Sequence, residues 1–250
     1  AVQLSQSGKG DVLIFPFFTT ENGWDSLLNI SVPVQFDDNA SMLGDKIKLS
    51  EKTILRVRVR EAVDGSVVNA FTIYNQDTVN WRGALTRNDT GETVLRVGEG
   101  DCLIADDSAF SGTGIDLPIG TGSGIIEVFL IGKLTGPTIS CDEIKARWET
   151  GGKWDVDPTE DVIESSQLSG ELLLVNVRQG LAASYRATAL QDFSDTQLHV
   201  KPTIDFPTLA DADAVAILGN GDEIIPASGE GIDAVAHVLA LGEQSLISNE

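Results

Sequence analysis

Asp155 and Asp157 stand in the run "WDVDPTED", which ends on Asp161. Two further acidic runs have the same character: "DDNASMLGD" with Asp37, Asp38 and Asp45, and "GEGDCLIADDS" with Asp101, Asp106 and Asp107. Calcium takes about six to eight oxygen ligands and tolerates irregular loops, so any of these runs is chemically competent to hold it. Asp155 and Asp157 are the leading pair for a structural Ca2+. None of the runs has EF-hand spacing, and aspartate is also a common solvated turn residue. Both readings stand at this point.

Nucleophilic catalysis finds less to work with. The two histidines, His199 and His237, lie in different contexts, the first after a strand-like "TQL" and the second inside an apolar helical pattern. There is no Gly-x-Ser-x-Gly elbow, no HExxH and no P-loop to organise a nucleophile, base or phosphate. Carboxylates are so frequent that a glycosidase-type acid and base can be drawn from almost any two loops, which removes them as a signal. The chain is expected not to be an enzyme. Cys102 and Cys141 are the whole thiol inventory. One disulfide closing a loop of about 40 residues would contribute roughly 3 to 4 kcal/mol; two buried thiols are the alternative. Without CxxC or histidine-rich spacing, zinc is not expected. Trp24, Trp81, Trp148 and Trp154 are either core anchors or a sugar-stacking platform. Sequons at Asn29, Asn39 and Asn88 matter only in a pathway that glycosylates them.

The chain has 250 residues with 17 Lys plus Arg against 38 Asp plus Glu, a net charge of −21. Such a surface repels a phosphate backbone, so nucleic acid is excluded as a partner. No run approaches the ~20 apolar residues of a membrane-spanning helix, and the chain is not expected to be membrane-embedded. It opens at Ala1 with no methionine, basic n-region or apolar h-region, as after signal-peptide removal or trimming.

The elements that must position these residues read mainly as strands. In "TILRVRVRE", Leu55, Val57 and Val59 alternate with Arg56, Arg58 and Arg60, the period-two pattern of a strand with one wet face. Asp64-Gly65 supplies a tight turn and "SVVNAFTIY" the returning strand. "SLLNISV", "TVNWRGAL", "ETVLRV", "CLIADD", "GIIEVFLIGKL" and "ELLLVNV" add further strands. Ser140 and Glu143 have capping-box spacing ahead of "IKARWE", with Gly151 and Gly152 as stops, predicting a helix from Cys141 to about Thr150. "GIDAVAHVLALG" predicts another, with Ile232, Val235, Val238 and Leu239 on one face. The expected fold is mainly β: an antiparallel β-sandwich, Greek-key or jelly-roll-like, with two or three short helices in the C-terminal half, as one domain over residues 1–250.

The stretch "DVLIFPFFTTENGW" is unusual among these strands. Val12, Leu13, Ile14, Phe15, Phe17 and Phe18 show no polar alternation, so both faces require cover. That cover comes from the strand's own domain or, by strand donation of residues 1–18, from a neighbouring subunit. Pro16 has no amide hydrogen and therefore marks an edge or a bulge.

The blocks "GDVLIFPFFTTENGWDSLLNIS", "ILRVRVREAVDGSVVNAFTIYNQDTVNWRGAL", "IIEVFLIGKL", "CDEIKARWETGGKW", "GELLLVNVRQGLAASYRATAL" and "LHVKPTIDFPTLAD" cover most of the chain. In order and content they resemble a family of uncharacterised secreted surface proteins of Gram-negative bacteria. The resemblance implies export, a β-rich fold and a sequence that in relatives runs on past "SLISNE"; it implies no catalytic residue. Together with the opening strand it leads to an expected function: a secreted, extracellular or cell-surface structural protein, a subunit of a filament, matrix or surface layer that joins copies of itself by β-strand exchange. The alternative is a calcium-dependent carbohydrate-binding or adhesive module, with a glycan as partner. A polysaccharide-acting enzyme ranks third.

Overall fold

The structure is a computed structural model that describes residues 2–32, 35–37, 47–49, 52–75, 80–98, 102–105, 108–111, 115–163, 168–195, 197–213, 216–217, 223–224, 235 and 239. Two antiparallel sheets dominate it. Across the nine-stranded sheet the order is Gln3–Leu4, Thr188–Gln191, Val12–Thr19, Ser123–Leu134, Lys52–Glu61, Val67–Asn75, Cys102–Ala105 and Ser108–Ser111, with Val162–Ile163 paired onto the end of Ser123–Leu134. The six-stranded sheet runs Ile115–Pro118, Thr93–Val97, Asn80–Arg87, Asp25–Ser31, Ser169–Asn176 and Leu181–Arg186. Two small ladders, Gln35–Asp37 with Ile47–Leu49 and Ala216–Ile217 with Glu223–Ile224, complete the described strands.

The sheets stack as a β-sandwich, as expected from many short strands with alternating patterns. Its core takes Leu13 and Phe15, Leu55, Val57 and Val59, and Ile126, Val128 and Leu130 from the larger sheet. From the smaller it takes Leu28, Ile30, Trp81, Leu85, Leu95 and Leu172. The alternation of "TILRVRVRE" thus places its valines inward. Two of its three arginines do not face water, which corrects the expected wet face: Arg56 and Arg58 are 6% and 3% exposed, and only Arg60 at the strand end is partly exposed. A further layer, drawn from sequence far downstream, covers this outer face of the nine-stranded sheet.

Half of that layer is helix α1 (Cys141–Trp148) and the short helix α2 (Lys153–Val156), packed through Ile144, Trp148 and Trp154 onto Ile54, Tyr74 and Cys102. The capping box forms as its spacing predicts: Glu143 N–H donates to Ser140 Oγ at 3.2 Å, and Ser140 N–H donates to Glu143 Oε2 at 2.8 Å. The helix stops two residues before the expected Thr150. The other half is the segment after Gln191, whose Phe193 packs edge-on against Phe129 and joins Val12, Ile14 and Leu190 in a second apolar cluster. Val235 and Leu239 are helical and belong to that cluster; Ile232, His237 and Val238 lie outside the described residues. The same holds for Asp38, Asn39, Asp45, Asp101, Asp106 and Asp107, and for the side chain of Asp37.

Two local details depend on single residues. The hairpin at Asp64-Gly65 is a four-residue loop, Ala62 to Gly65, closed by Glu61 N–H to Ser66 O at 3.0 Å, rather than a two-residue turn. Gly65 sits at φ 72°, where a left-handed residue is required. At Pro16 the register with Ser123–Leu134 shifts between Gly124 and Ile126, so the proline falls at a bulge. A Cβ on Gly124 would stand 1.8 Å from the Arg60 carbonyl oxygen, which explains the glycine opposite that bulge.

Candidate functional site

The opening strand lies inside the nine-stranded sheet. Ser123–Leu134 flanks Val12–Thr19 along one edge, and Thr188–Gln191 flanks Val12, Leu13 and Ile14 along the other. Leu13, Phe15 and Phe18 turn into the sandwich core, whereas Val12 and Ile14 face the outer layer. The bulge at Pro16 lets both Phe15 and Phe18 point inward, and it turns Phe17 out to 45% exposure. Both faces are therefore roofed by the strand's own chain.

Past Ile14 the second edge has no paired strand among the described residues, and Tyr185 stands there. Its hydroxyl donates to the Phe17 carbonyl and accepts from the Phe17 amide at 3.3 Å. Burial pushes the phenol up to about 12, against the hydrogen bond to the Phe17 backbone. This clasp joins the opening strand to Leu181–Arg186, an edge strand of the opposite sheet.

The described sheet edges differ in protection. Gln3–Leu4 is two residues long, and helix α1 packs beside Ser108–Ser111. Ile115–Pro118 ends in a proline and carries Asp116, which accepts from Arg96 through both oxygens at 2.8 and 2.9 Å. Leu181–Arg186 has none of these devices: it pairs without a register shift from Asn176↔Leu181 to Glu171↔Arg186, contains no proline or lysine, and is exposed at every position except Tyr185. At ~3.3 Å per residue it offers about 20 Å of backbone that pairs with no second strand among the described residues. Val177 and Leu181 beside it are 79% and 50% exposed.

The described acidic candidates, Asp155, Asp157 and Asp161, serve turns and ion pairs. Asp155 Oδ2 accepts from Gly151 N–H at 2.8 Å. Asp157 Oδ1 accepts from the Thr159 hydroxyl at 2.7 Å and its amide at 3.0 Å, bonds that hold its carboxyl below the ordinary aspartate range. Asp161 is lowered in turn by Lys153, which also meets Glu160 at 3.0 Å. Among the described residues no group of three or more His, Cys, Asp or Glu side chains has a metal-holding arrangement.

Cys102 and Cys141 form a disulfide, Cα–Cα 5.4 Å, that ties the first residue of α1 to the Cys102–Ala105 strand. Trp148 and Trp154 lie behind it at 4.9 Å between ring centroids, with His199 at 4.4 Å from Trp154. Trp81 is in the sandwich core, so three of the tryptophans are core anchors; Trp24 is half-buried. His199 is fully buried and neither ring nitrogen has a hydrogen-bond partner among the described residues. Burial, with Arg147 adding to it, pushes the imidazole down to about 4. Gly132 lies against it and makes room for Val162: a Cβ there would stand only 2.4 Å from the Val162 side chain and 3.4 Å from His199 Nδ1.

A buried charge stripe is what sequence reasoning missed. Glu127 Oε1 lies 2.5 Å from Arg60 Nε and its Oε2 3.7 Å from Arg58 Nη1. Burial lowers the Arg58 guanidinium from its ordinary value while Glu127 pulls it back, and arginine remains cationic throughout. Arg56 donates to Thr72 Oγ1 at 3.1 Å and to the Thr203 carbonyl at 2.8 Å. The signal was present: Glu127 is a lone acid in the apolar run "GIIEVFLIGKL" and directly faces Arg58 in the register.

Searches against protein-family models, curated proteins and solved structures find no match to this chain. Among the described residues no helix is long and apolar enough to cross a membrane.

Proposed function

We propose that this chain is a secreted structural subunit that joins copies of itself by β-strand addition at the Leu181–Arg186 edge. The observation that carries the reading is the contrast among edges: the others described are short, covered or closed by proline and an ion pair, and this one is open. Unpaired N–H and C=O groups along an exposed strand are a template for a second chain, and soluble proteins ordinarily blunt them. The disulfide supports an oxidising, extracytoplasmic setting, in line with the resemblance to secreted surface proteins. Strand exchange by residues 1–18 is a variant of the same reading. Because Val12–Thr19 already fills a slot in its own sheet, exchange requires it to leave Ser123–Leu134 and enter the same slot of the next copy.

Sedimentation and negative-stain imaging of the purified chain test both routes. Assembly at the open edge predicts oligomers that Leu181→Lys with Ala183→Lys reduces to folded monomers, since edge lysines oppose strand addition. Exchange predicts that deletion of residues 1–18 abolishes polymers and that an added peptide of that sequence restores a stable monomer. A wild-type chain that stays monomeric at high concentration overturns both.

A further inference from the structure

The two broad faces of the sandwich are finished differently. The nine-stranded sheet carries the outer layer described above, whereas the outward face of the six-stranded sheet has no such layer among the described residues. We propose that this bare face is a second self-association surface, on which two copies of the chain stack face to face about a twofold axis running along Asp25–Ser31. It is separate from the Leu181–Arg186 edge and does not depend on it.

Alternation gives the face its composition. Leu28, Ile30, Trp81, Leu85 and Leu172 turn into the core, so their sequence neighbours point outward and fall into register rows. One row is apolar: Ala84, Leu27 and Leu173 are direct partners, with Leu27 exposed and the other two half-buried. The next row is charged and runs Arg82, Asn29, Glu171, Arg186. Arg82, Glu171 and Arg186 are exposed and make no ion pair or hydrogen bond among the described residues. Across the whole face Arg82, Arg96 and Arg186 balance Asp25, Asp116 and Glu171, on a chain whose net charge is −21. Copies of so acidic a chain repel one another, and least where charge is balanced.

The twofold supplies the charge complementarity. An axis along Asp25–Ser31 exchanges the strands on its two sides, so Leu27 meets Leu27, Ala84 meets Leu173, and Arg82 of each copy meets Glu171 of the other. Aligned sheets cross at ~30°. One row away from Leu27, about 7 Å, that angle displaces the facing strand by about 3.5 Å, less than the ~4.8 Å between strands, so long side chains still reach. The same axis sets Asp25 against its own copy, a contact that opposes the dimer.

Sedimentation equilibrium on the edge-blocked chain, Leu181→Lys with Ala183→Lys, isolates this surface from the edge. Dimers should persist there at high concentration. Glu171→Arg should weaken them at least about tenfold, and adding Arg82→Glu should restore them, because the swap rebuilds each pair in reverse. Asp25→Asn should tighten them roughly threefold. In the otherwise unchanged chain, whose native cysteines are joined in their disulfide, a short bis-maleimide should link Leu27→Cys to its own copy and leave Val63→Cys, exposed on the Asp64-Gly65 loop, unlinked. A monomeric edge-blocked chain, a Glu171→Arg variant that dimerises like its parent, or a swap that fails to rescue overturns the surface. Unchanged affinity in Asp25→Asn, or equal linkage at Val63 and Leu27, overturns the axis.

Discussion

On the face of the nine-stranded sheet that meets its partner sheet, Leu55, Val57 and Val59 lie beside Ile126, Val128 and Leu130. On the opposite face the same two strands present Arg56, Arg58, Arg60 and Glu127; Arg56, Arg58 and Glu127 are nearly as dry, and the Arg60 side chain is 24% exposed. The inner face is stabilised by apolar area alone, with no geometry beyond packing to satisfy. The outer face must also accommodate charge, and does so by ion pairs across neighbouring strands and bonds to the covering segment at Thr203, with Arg58 Nη1 and Glu127 Oε2 held at 3.7 Å and without a hydrogen bond among the described residues. Period-two alternation reports which side chains share a face. Whether that face is wet depends on what the rest of the chain lays over it.

Breaking the charge stripe should have the largest effect. Glu127→Ala leaves Arg58 buried without its carboxylate, and should cost about 3 to 5 kcal/mol, comparable to a large-to-small truncation such as Leu55→Ala on the inner face at roughly 2 to 5 kcal/mol. Replacing both partners with apolar residues, Glu127→Leu with Arg58→Met, should cost clearly less than Glu127→Ala, because no buried charge is stranded. Urea unfolding of the three variants tests this. A loss under about 1 kcal/mol for Glu127→Ala would mean the outer face is solvated after all.

How much could be read from the sequence follows the same division. The Ser140–Glu143 cap, the Cys102–Cys141 pair and the Pro16 bulge were legible, since each rests on residue chemistry that is local or on a pair with no other partner. The sandwich core was legible through alternation. The cover over Arg56 and Arg58 was not, because it comes from residues near 193–213, and no local pattern announces which distant segment will lie on a strand. The cleft on the outer face that Arg56, Lys145 and Lys201 line was illegible for the same reason: these residues meet only through the topology. The opening strand was read correctly as needing two roofs, and both roofs are in its own chain.

The outer layer is held by one covalent tie, whereas the inner face needs none. Cys102→Ala with Cys141→Ala should therefore lower stability by about 3 to 4 kcal/mol. The loss should be uneven. Amide exchange should accelerate most in α1 and its contacts on Ile54 and Tyr74, and least in the sandwich core around Val57 and Val128. Uniform acceleration would mean that the two faces unfold as one unit.

Acid should separate the faces next. His199 is held neutral by burial, with its imidazole near about 4 against an ordinary value of 6.5. A group depressed in the folded state takes up its proton more readily when unfolded, so stability is complete above pH 6.5, falls as pH drops towards 4 and levels off below. The full difference is about 3 kcal/mol at ~1.4 kcal/mol per unit. His199→Phe, which cannot take up a proton, should flatten that part of the pH–stability curve, and an unchanged slope would assign it to carboxylates instead.

The smallest effect falls where the sandwich opens between the two sheets, at the clasp of Tyr185 on Phe17. Tyr185→Phe removes both hydrogen bonds to the Phe17 backbone but keeps the ring in place, and should cost roughly 1 to 2 kcal/mol. The phenol is raised from 10 to about 12, so the folded state disfavours ionisation and the clasp weakens as pH rises from 10 towards 12. In the Phe variant that alkaline loss should disappear. If the proposed edge is the docking strand, the same variant also sharpens the functional reading: Leu181–Arg186 freed from Phe17 should assemble more readily, and slower assembly would mean that the clasp builds the acceptor edge instead of restraining it.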